Sequence, residues 1–186
     1  MFNQIISLLL QVVFGLVAGA CLLRLYMQYQ RVAMSARAGN PLGPFIFALT
    51  DWIVLPLRRV IPSVGRWDSA SLVAAYLLEL GQFFLFWLLA GAHAEVVSIP
   101  VMAVFALAHL ALSAVSGLVI IYAVLSWVQT DSAMAGVIGR MVAPLLNPIR
   151  RVIPLLGGVD LSPLVLLVLL QIAGIVLGAL QAGVLG

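Results

Sequence analysis

The chain has 186 residues, of which 65% are hydrophobic and only 8% are charged, and its mean hydropathy is +1.23. Soluble domains carry roughly a quarter charged residues, and large exposed apolar patches make them associate. This composition therefore excludes a water-soluble fold. The net charge of +3 comes from nine arginines, no lysines and six acids, and all the arginines lie between residues 24 and 66 or between 140 and 151. Such clustering beside long apolar runs is typical of loops and not of a nucleic-acid-binding face.

Four apolar runs are long enough to cross a bilayer, given a rise of 1.5 Å per residue and a hydrocarbon core of about 30 Å. The third run is longer than a bilayer requires, so we expect a break near Pro100 and a spanning helix over about 100–128. We therefore predict an all-α membrane protein with about four transmembrane helices. The four runs cover residues 5–23, 71–92, 96–128 and 163–185.

The connections between these runs differ in their arginine content. The loop 24–70 has six arginines and the loop 129–162 has three, whereas the short turn 93–95 has none. Basic residues collect in cytoplasmic loops. We therefore predict that both long loops are cytoplasmic and that both termini lie outside.

A seven-residue segment with two prolines and two arginines occurs twice in the chain. Residues 56–62 read PLRRVIP, and residues 148–154 read PIRRVIP, which is an offset of 92. The same offset, without a gap, aligns Asp68 with Asp160. An internal repeat of this kind indicates two copies of one structural unit.

Each copy is predicted to be a helix–loop–helix repeat, one over residues 1–95 and the other over 96–186. Both copies begin on the same side of the membrane, so they are parallel repeats. Within the loops, the apolar segments 45–57 and 134–146 are too short to span and are predicted to be amphipathic or interfacial helices. In the second segment, apolar residues recur at helical spacing, with Arg140 off the stripe. That stripe consists of Met134, Val137, Ile138, Met141, Val142 and Leu145.

The pattern R-R-x-I-P, followed by G-x-x-D and a helix, resembles the YggT family of bacterial and plastid membrane proteins. The resemblance spans nearly the whole chain. It implies a multi-pass protein of the bacterial inner (plasma) membrane, with relatives linked to osmotic or ion homeostasis, to cell division and, in plastids, to cytochrome cofactor assembly. Outside the repeated segment it rests on Asn40, Pro41, Thr50 and Asp51 in the first loop and on Gly157, Gly158, Asp160, Ser162 and Pro163 in the second.

The repeated arginines and aspartates of the loops are the first candidate site. Interfacial arginines bind anionic lipid headgroups or recruit a membrane or cytoplasmic protein partner, but they also fix topology without binding anything. We further expect a defined loop structure in which Arg59 pairs with Asp68 and Arg151 with Asp160. The candidate residues are Arg58, Arg59, Asp68, Arg150, Arg151 and Asp160.

Polar residues within the apolar runs are the second candidate site. Glu79 is an acid inside a spanning segment, where it forms either an interhelical polar contact or part of a proton path. The repeat places Gln171 opposite it. The other histidine of the chain is His93, and it does not give His109 the ligand spacing of a metal or haem site. We predict no catalytic site, no metal site and no cofactor.

These features favour a non-enzymatic scaffold or assembly factor in envelope, cell-division or osmotic-stress processes, which acts through its arginine-rich loops. The alternative is a small oligomeric transporter or channel component for ions or osmolytes, which Glu79 and the repeated design favour. G-x-x-x-G patterns at residues 15–19 and 174–178 allow close helix packing within one chain or between copies. Both a monomer and a homo-oligomer therefore fit the sequence.

Overall fold

The computed structural model describes residues 2–35, 40–63, 65–91, 96–128, 132–153 and 160–185. These ranges contain helices and no strand, which confirms the predicted all-α class. The predicted turn at 93–95, and Gly157 and Gly158 of the family resemblance, lie outside the described residues. The helices are α1 Phe2–Tyr29, α2 Leu42–Val60, α3 Ser69–Leu89, a short 3-10 helix Val96–Ser98, α4 Ile99–Val128, α5 Ala133–Arg150 and α6 Ser162–Leu185.

Four of the helices, α1, α3, α4 and α6, are long and apolar enough to cross a membrane, as predicted. The first of them continues beyond Arg24, where its apolar run ends, as far as Tyr29. The third begins at Ile99 and has Pro100 in its first turn, where the missing N–H of proline has no helical partner to lose. The other two helices, α2 and α5, lie within the predicted loops.

The two repeats fold in the same way. In the first, α1, α2 and α3 all contact one another, and in the second α4, α5 and α6 do the same. The repeats meet where α4 packs against α3 and α1. Each unit is therefore a pair of spanning helices braced by one short helix.

The short helices α2 and α5 bury equivalent faces. Buried residues recur every four positions along each helix, which places them on one stripe. The two stripes are related by the repeat offset of 92, and Arg140 is exposed off its stripe, as predicted. The stripes face the other helices of the protein, where they join three buried clusters. They consist of Ile46, Thr50 and Val54 in α2, and Ile138, Val142 and Leu146 in α5.

The short helices lie together at one end of the bundle. Met27 of α1, Ile46 of α2 and Met141 of α5 belong to one buried cluster. The hydroxyl of Tyr26 donates a hydrogen bond of 2.7 Å to the carbonyl oxygen of Met141. Since Tyr26 and Met27 are near the end of α1, both loop helices lie at that end of the molecule.

The glycines of the G-x-x-x-G patterns do not lie at close contacts between the described helices. A side chain added at Gly15, Gly19, Gly174 or Gly178 would meet no atom of the described residues within 4 Å. These glycines therefore do not bring two helices of this chain together. Association between copies stays a prediction.

Gly43 in α2 gives a test of the fold, because a methyl group there would overlap the backbone carbonyl of Met34. Overpacking of this kind costs about 1–3 kcal/mol. We expect Gly43→Ala to lower the melting temperature of the purified protein in detergent, measured by far-ultraviolet circular dichroism.

The matched control is Gly136→Ala in the first turn of α5, where a methyl group meets nothing within 4 Å. Alanine is favoured over glycine inside a helix by about 1 kcal/mol. This variant should melt at the wild-type temperature or above it. Equal melting temperatures for the two variants would contradict the packing of α2.

Candidate functional site

A buried arginine joins the first two helices. Arg24 in α1 is only 2% exposed, and its Nη1 donates hydrogen bonds of 2.7 Å to Thr50 Oγ1 and to Asp51 Oδ1 of α2. Its guanidinium lies 4.8 Å from the centre of the Phe47 ring. A buried charge is tolerated when it is paired and hydrogen-bonded. Arg24 meets that condition through residues that are distant in sequence.

Asp68 connects this arginine to a second one. Its side chain is fully buried immediately before α3. Its Oδ2 accepts hydrogen bonds from Arg58 Nη2 and, at 2.6 Å, from Ser71 Oγ, and it lies 3.9 Å from Arg24 Nε. Arg58 also donates to Gln28 Oε1 at 3.3 Å. The resulting network, which we call the buried ion cluster, ties α1, α2 and α3 together.

The second repeat has a smaller and more exposed version of this cluster. Arg150 donates to Asp160 Oδ2 from Nε at 2.9 Å and from Nη2 at 2.6 Å, and Nη2 also donates to the hydroxyl of Tyr122 at 2.7 Å. The Arg150 side chain is 36% exposed and that of Asp160 is 23% exposed. Burial raises the pKa of Asp160, but hydrogen bonds from Ser162 and Arg150 outweigh it, so the pKa lies below its usual value. The carboxylate is therefore charged at neutral pH.

The predicted ion pairs are wrong by one position in each repeat. Asp68 pairs with Arg58 and not with Arg59, and Asp160 pairs with Arg150 and not with Arg151. The reason is helix phase. Each first arginine continues the four-residue stripe of its helix, so it points toward the next helix of the bundle.

The second arginine of each pair is exposed instead. Arg59 and Arg151 lie off the buried stripes, and neither has an ion-pair partner among the described residues. Three further arginines, Arg31, Arg66 and Arg140, are exposed in the same way. Among the described residues, the loop arginines therefore divide into a paired structural group and an exposed group without ion-pair partners.

The polar candidates within the spanning helices lie on three different helices. Glu79 is 4% exposed in α3, and Gln82, one turn further along, is 6% exposed, with its Oε1 lacking a hydrogen-bond partner within the described ranges. Gln171 is exposed on α6, and His109 is half-buried in α4. The repeat partners Glu79 and Gln171 thus lie in different environments. No group of three metal-binding side chains occurs in the described part of the chain.

Several residues of the clusters were not assigned a role from the sequence. Arg24 marked only the end of an apolar run, and Thr50 and Asp51 were noted only for the family resemblance. Gln82 was missed, although its spacing of three from Glu79 places both on one helix face. Tyr122 carries no local signal, since its partner Arg150 is 28 positions away.

Comparisons with known proteins agree with this architecture. A family model described as CCB3/YggT matches residues 3–89 and 101–181, one match in each repeat. The uncharacterized protein YggT of Escherichia coli (strain K12) is 35% identical over 173 residues, which cover 90% of this chain and 86% of that protein. An uncharacterized protein from the proC 3′ region of Vibrio alginolyticus is 35% identical over 175 residues, or 92% of each chain. No solved structure matches the chain significantly.

The difference in burial between the two aspartates gives a matched pair of variants. Asp68→Asn removes the partner of two arginines at a fully buried position, where breaking an ion pair costs about 3–5 kcal/mol. Asp160→Asn affects a partly exposed pair, which contributes about 1 kcal/mol or less, and asparagine can still accept the hydrogen bond from the N–H of Ser162.

We expect Asp68→Asn to lower thermal stability in detergent much more than Asp160→Asn does. The measurement is the melting temperature of each purified variant, with the folded fraction after extraction as a second readout. Equal losses in the two variants would contradict the assignment of the first cluster as the buried one.

Proposed function

This chain belongs to the CCB3/YggT family, and from that premise we propose that it is a non-enzymatic scaffold or assembly factor of the bacterial inner membrane. In this proposal it binds a protein partner through its cytoplasmic loops. The processes in which it would act are envelope assembly, cell division or the response to osmotic stress.

The observation that carries the proposal is a duplicated exposed surface. Arg59 and Val60 end α2, and the same two residue types recur at Arg151 and Val152, at the repeat offset of 92. Both arginines are exposed, and both valines are 80% exposed. We call these four residues the Arg-Val surface. The same exposed pattern occurs twice, and each copy follows an arginine that is ion-paired within the fold. This repetition supports a role in binding.

The chemistry of this surface favours a protein partner with acidic groups. Arginine is enriched among residues that dominate protein interfaces, and an exposed valine beside it supplies apolar area. Unpaired cations also speed the encounter with an acidic surface. The paired arginines, Arg58 and Arg150, have their charge satisfied by Asp68 and Asp160, so they contribute less to such binding.

The proposed membrane orientation rests on the arginine count of the loops. All nine arginines lie in α1 beyond its apolar run or in the two segments that contain α2 and α5. Since α2 and α5 lie at one end of the bundle, the positive-inside rule favours a cytoplasmic position for that end. Both termini would then be outside.

Site-specific crosslinking in intact cells tests the proposal. A photoreactive amino acid at Val60 or Val152 of the full-length protein should give a covalent adduct with an acidic protein. Combining it with Arg59→Gln and Arg151→Gln should reduce the yield of that adduct at least severalfold, because two unpaired charges are lost.

The charge-matched control is Arg31→Gln with Arg66→Gln, which also removes two exposed arginines but leaves the Arg-Val surface unchanged. This control should keep the adduct. A photoreactive residue at Val13, on the exposed apolar face of α1, should not give it. An adduct that persists in the Arg59→Gln, Arg151→Gln protein would contradict binding through these arginines, and a lipid adduct alone would contradict a protein partner.

Glu79 supports a second candidate, a small transporter component that functions as an oligomer. Glu79 and Gln82 are buried on one face of a spanning helix, and intramembrane acids often belong to ion or proton pathways. On this candidate, proteoliposomes of the purified protein carry a proton-dependent solute flux. Glu79→Gln should lower that flux at least tenfold, whereas Glu79→Asp retains part of it. A flux that Glu79→Gln leaves unchanged would contradict proton coupling through this residue.

A further inference from the structure

We infer that a groove between the two repeats binds an anionic phospholipid, with one acyl chain between α1 and α4 and the headgroup among exposed arginines. This site is separate from the Arg-Val surface, so the inference goes beyond the proposed function and does not depend on it. It assigns a ligand to a cavity that the buried ion cluster does not use.

The groove has the dimensions and the surface of an acyl-chain site. Its volume is about 310 Å³, and it runs between α1, from Leu22 to Tyr29, and α4, from Ala111 to Leu118. The eight residues of each helix rise by about 10 Å from first to last, which is enough for part of one acyl chain. Nearly all of its lining is apolar. Because α1 and α4 are both long enough to span the membrane, the groove opens toward lipid.

Aromatic rings mark the loop end of the groove. Tyr29 and Trp67 are in contact there, with ring centroids 5.0 Å apart. Such amphipathic rings favour the level of the headgroups. Tyr26 forms part of the wall, and its hydroxyl is already bonded to the Met141 carbonyl of α5. The groove therefore passes from an apolar floor to an interfacial rim, as a lipid does from chain to headgroup.

Three exposed arginines lie close in sequence to Tyr29 and Trp67 of the rim or to Met141, which is bonded to Tyr26. Arg31 is two residues from Tyr29, Arg66 is adjacent to Trp67, and Arg140 is adjacent to Met141. Consecutive Cα atoms are 3.8 Å apart, so each arginine backbone is within about 8 Å of a residue that forms or braces the groove. All three side chains are exposed, and the described residues include no ion-pair partner for them.

The backbone at Arg31 supports the assignment. Its φ of 56° is in the left-handed region, where glycine is the usual residue. The turn is fixed by hydrogen bonds from the N–H of Arg31 to the Gln28 carbonyl and from the N–H of Val32 to the Met27 carbonyl. These hydrogen bonds end α1 and fix the backbone of Arg31 two residues beyond Tyr29.

A second groove in the same protein lacks these features. It lies between α4 and α6, has a volume of about 420 Å³ and includes Ala108, Leu112, Ala173 and Leu177 among its lining residues. Its lining contains no aromatic residue, and no arginine is adjacent in sequence to it. This groove can take up any acyl chain, but nothing in its lining selects for an anionic headgroup.

Quenching of Trp67 fluorescence by brominated lipids tests the inference. The full-length protein, with Trp52→Phe, Trp87→Phe and Trp127→Phe, is reconstituted in vesicles of unlabelled phosphatidylcholine. Dibrominated phosphatidylglycerol or dibrominated phosphatidylcholine is then added in increasing amounts. We expect phosphatidylglycerol to quench Trp67 at much lower mole fractions, because two or three arginines near the rim favour the anionic headgroup.

Two pairs of matched variants identify the site. Arg31→Gln with Arg66→Gln should lower the preference for phosphatidylglycerol by roughly 10- to 30-fold, whereas Arg59→Gln with Arg151→Gln should leave it unchanged. Ala114→Phe fills the α1–α4 groove and should abolish the preferential quenching. Ala173→Phe fills only the α4–α6 groove and should not.

Equal quenching by the two lipids would overturn the inference. So would a preference for phosphatidylglycerol that survives both Arg31→Gln with Arg66→Gln and Ala114→Phe. Circular dichroism of each variant verifies that the helices are retained, so that a loss of quenching is read only from folded protein. Failure of the crosslinking at the Arg-Val surface would leave these outcomes unaffected, since the two experiments test different pairs of arginines and each uses the other pair as its control.

Discussion

The pairing of buried guanidinium groups is the constraint on which this structure depends. Arg24 lies within a helix that is long and apolar enough to span a membrane, and its charge is balanced by Asp51 and by the nearby carboxylate of Asp68. A guanidinium cannot lose its proton in a protein, so burial requires permanent partners. Those partners come from α2 and from the start of α3. The position of the short helix against the two spanning helices is therefore fixed by electrostatics as well as by its apolar stripe.

Duplication retained the scaffold of this cluster but not all of its charges. The first arginine and the aspartate are present in both repeats, whereas the positions of Thr50 and Asp51 hold Val142 and Ala143 in the second copy. With no acid at that position, α5 lacks a counterpart of the ion pair between Arg24 and Asp51. It instead packs an unbroken apolar stripe. The first repeat thus relies on ions where the second relies on hydrophobic contact, although their helices are arranged alike.

Composition, run length and the repeat predicted the fold class, the four spanning helices and the existence of both loop helices, because these properties depend on local sequence. The ion pairs were not predicted correctly because the helical segments of the two loops were predicted to end at residues 57 and 146, before the repeated arginines. In the structure α2 continues through Pro56 to Val60, and its phase selects Arg58. The role of Arg24 and the groove between the repeats depend on contacts between distant segments. No local pattern in a single sequence contains that information.

The division of the arginines also bears on how the protein functions. If orientation were the only requirement, any basic residue in the loops would serve, and no particular residue would need a fixed partner. Instead, the first arginine of each repeated pair is bound within the fold, and this holds its neighbour, Arg59 or Arg151, at a defined exposed position. A cation on a rigid, duplicated helix end is preorganised for binding, which lowers the entropy lost when a partner docks. The internal ion pairs and the proposed Arg-Val surface are thus two consequences of one repeated motif, in which one arginine serves structure and its neighbour is the one proposed for recognition.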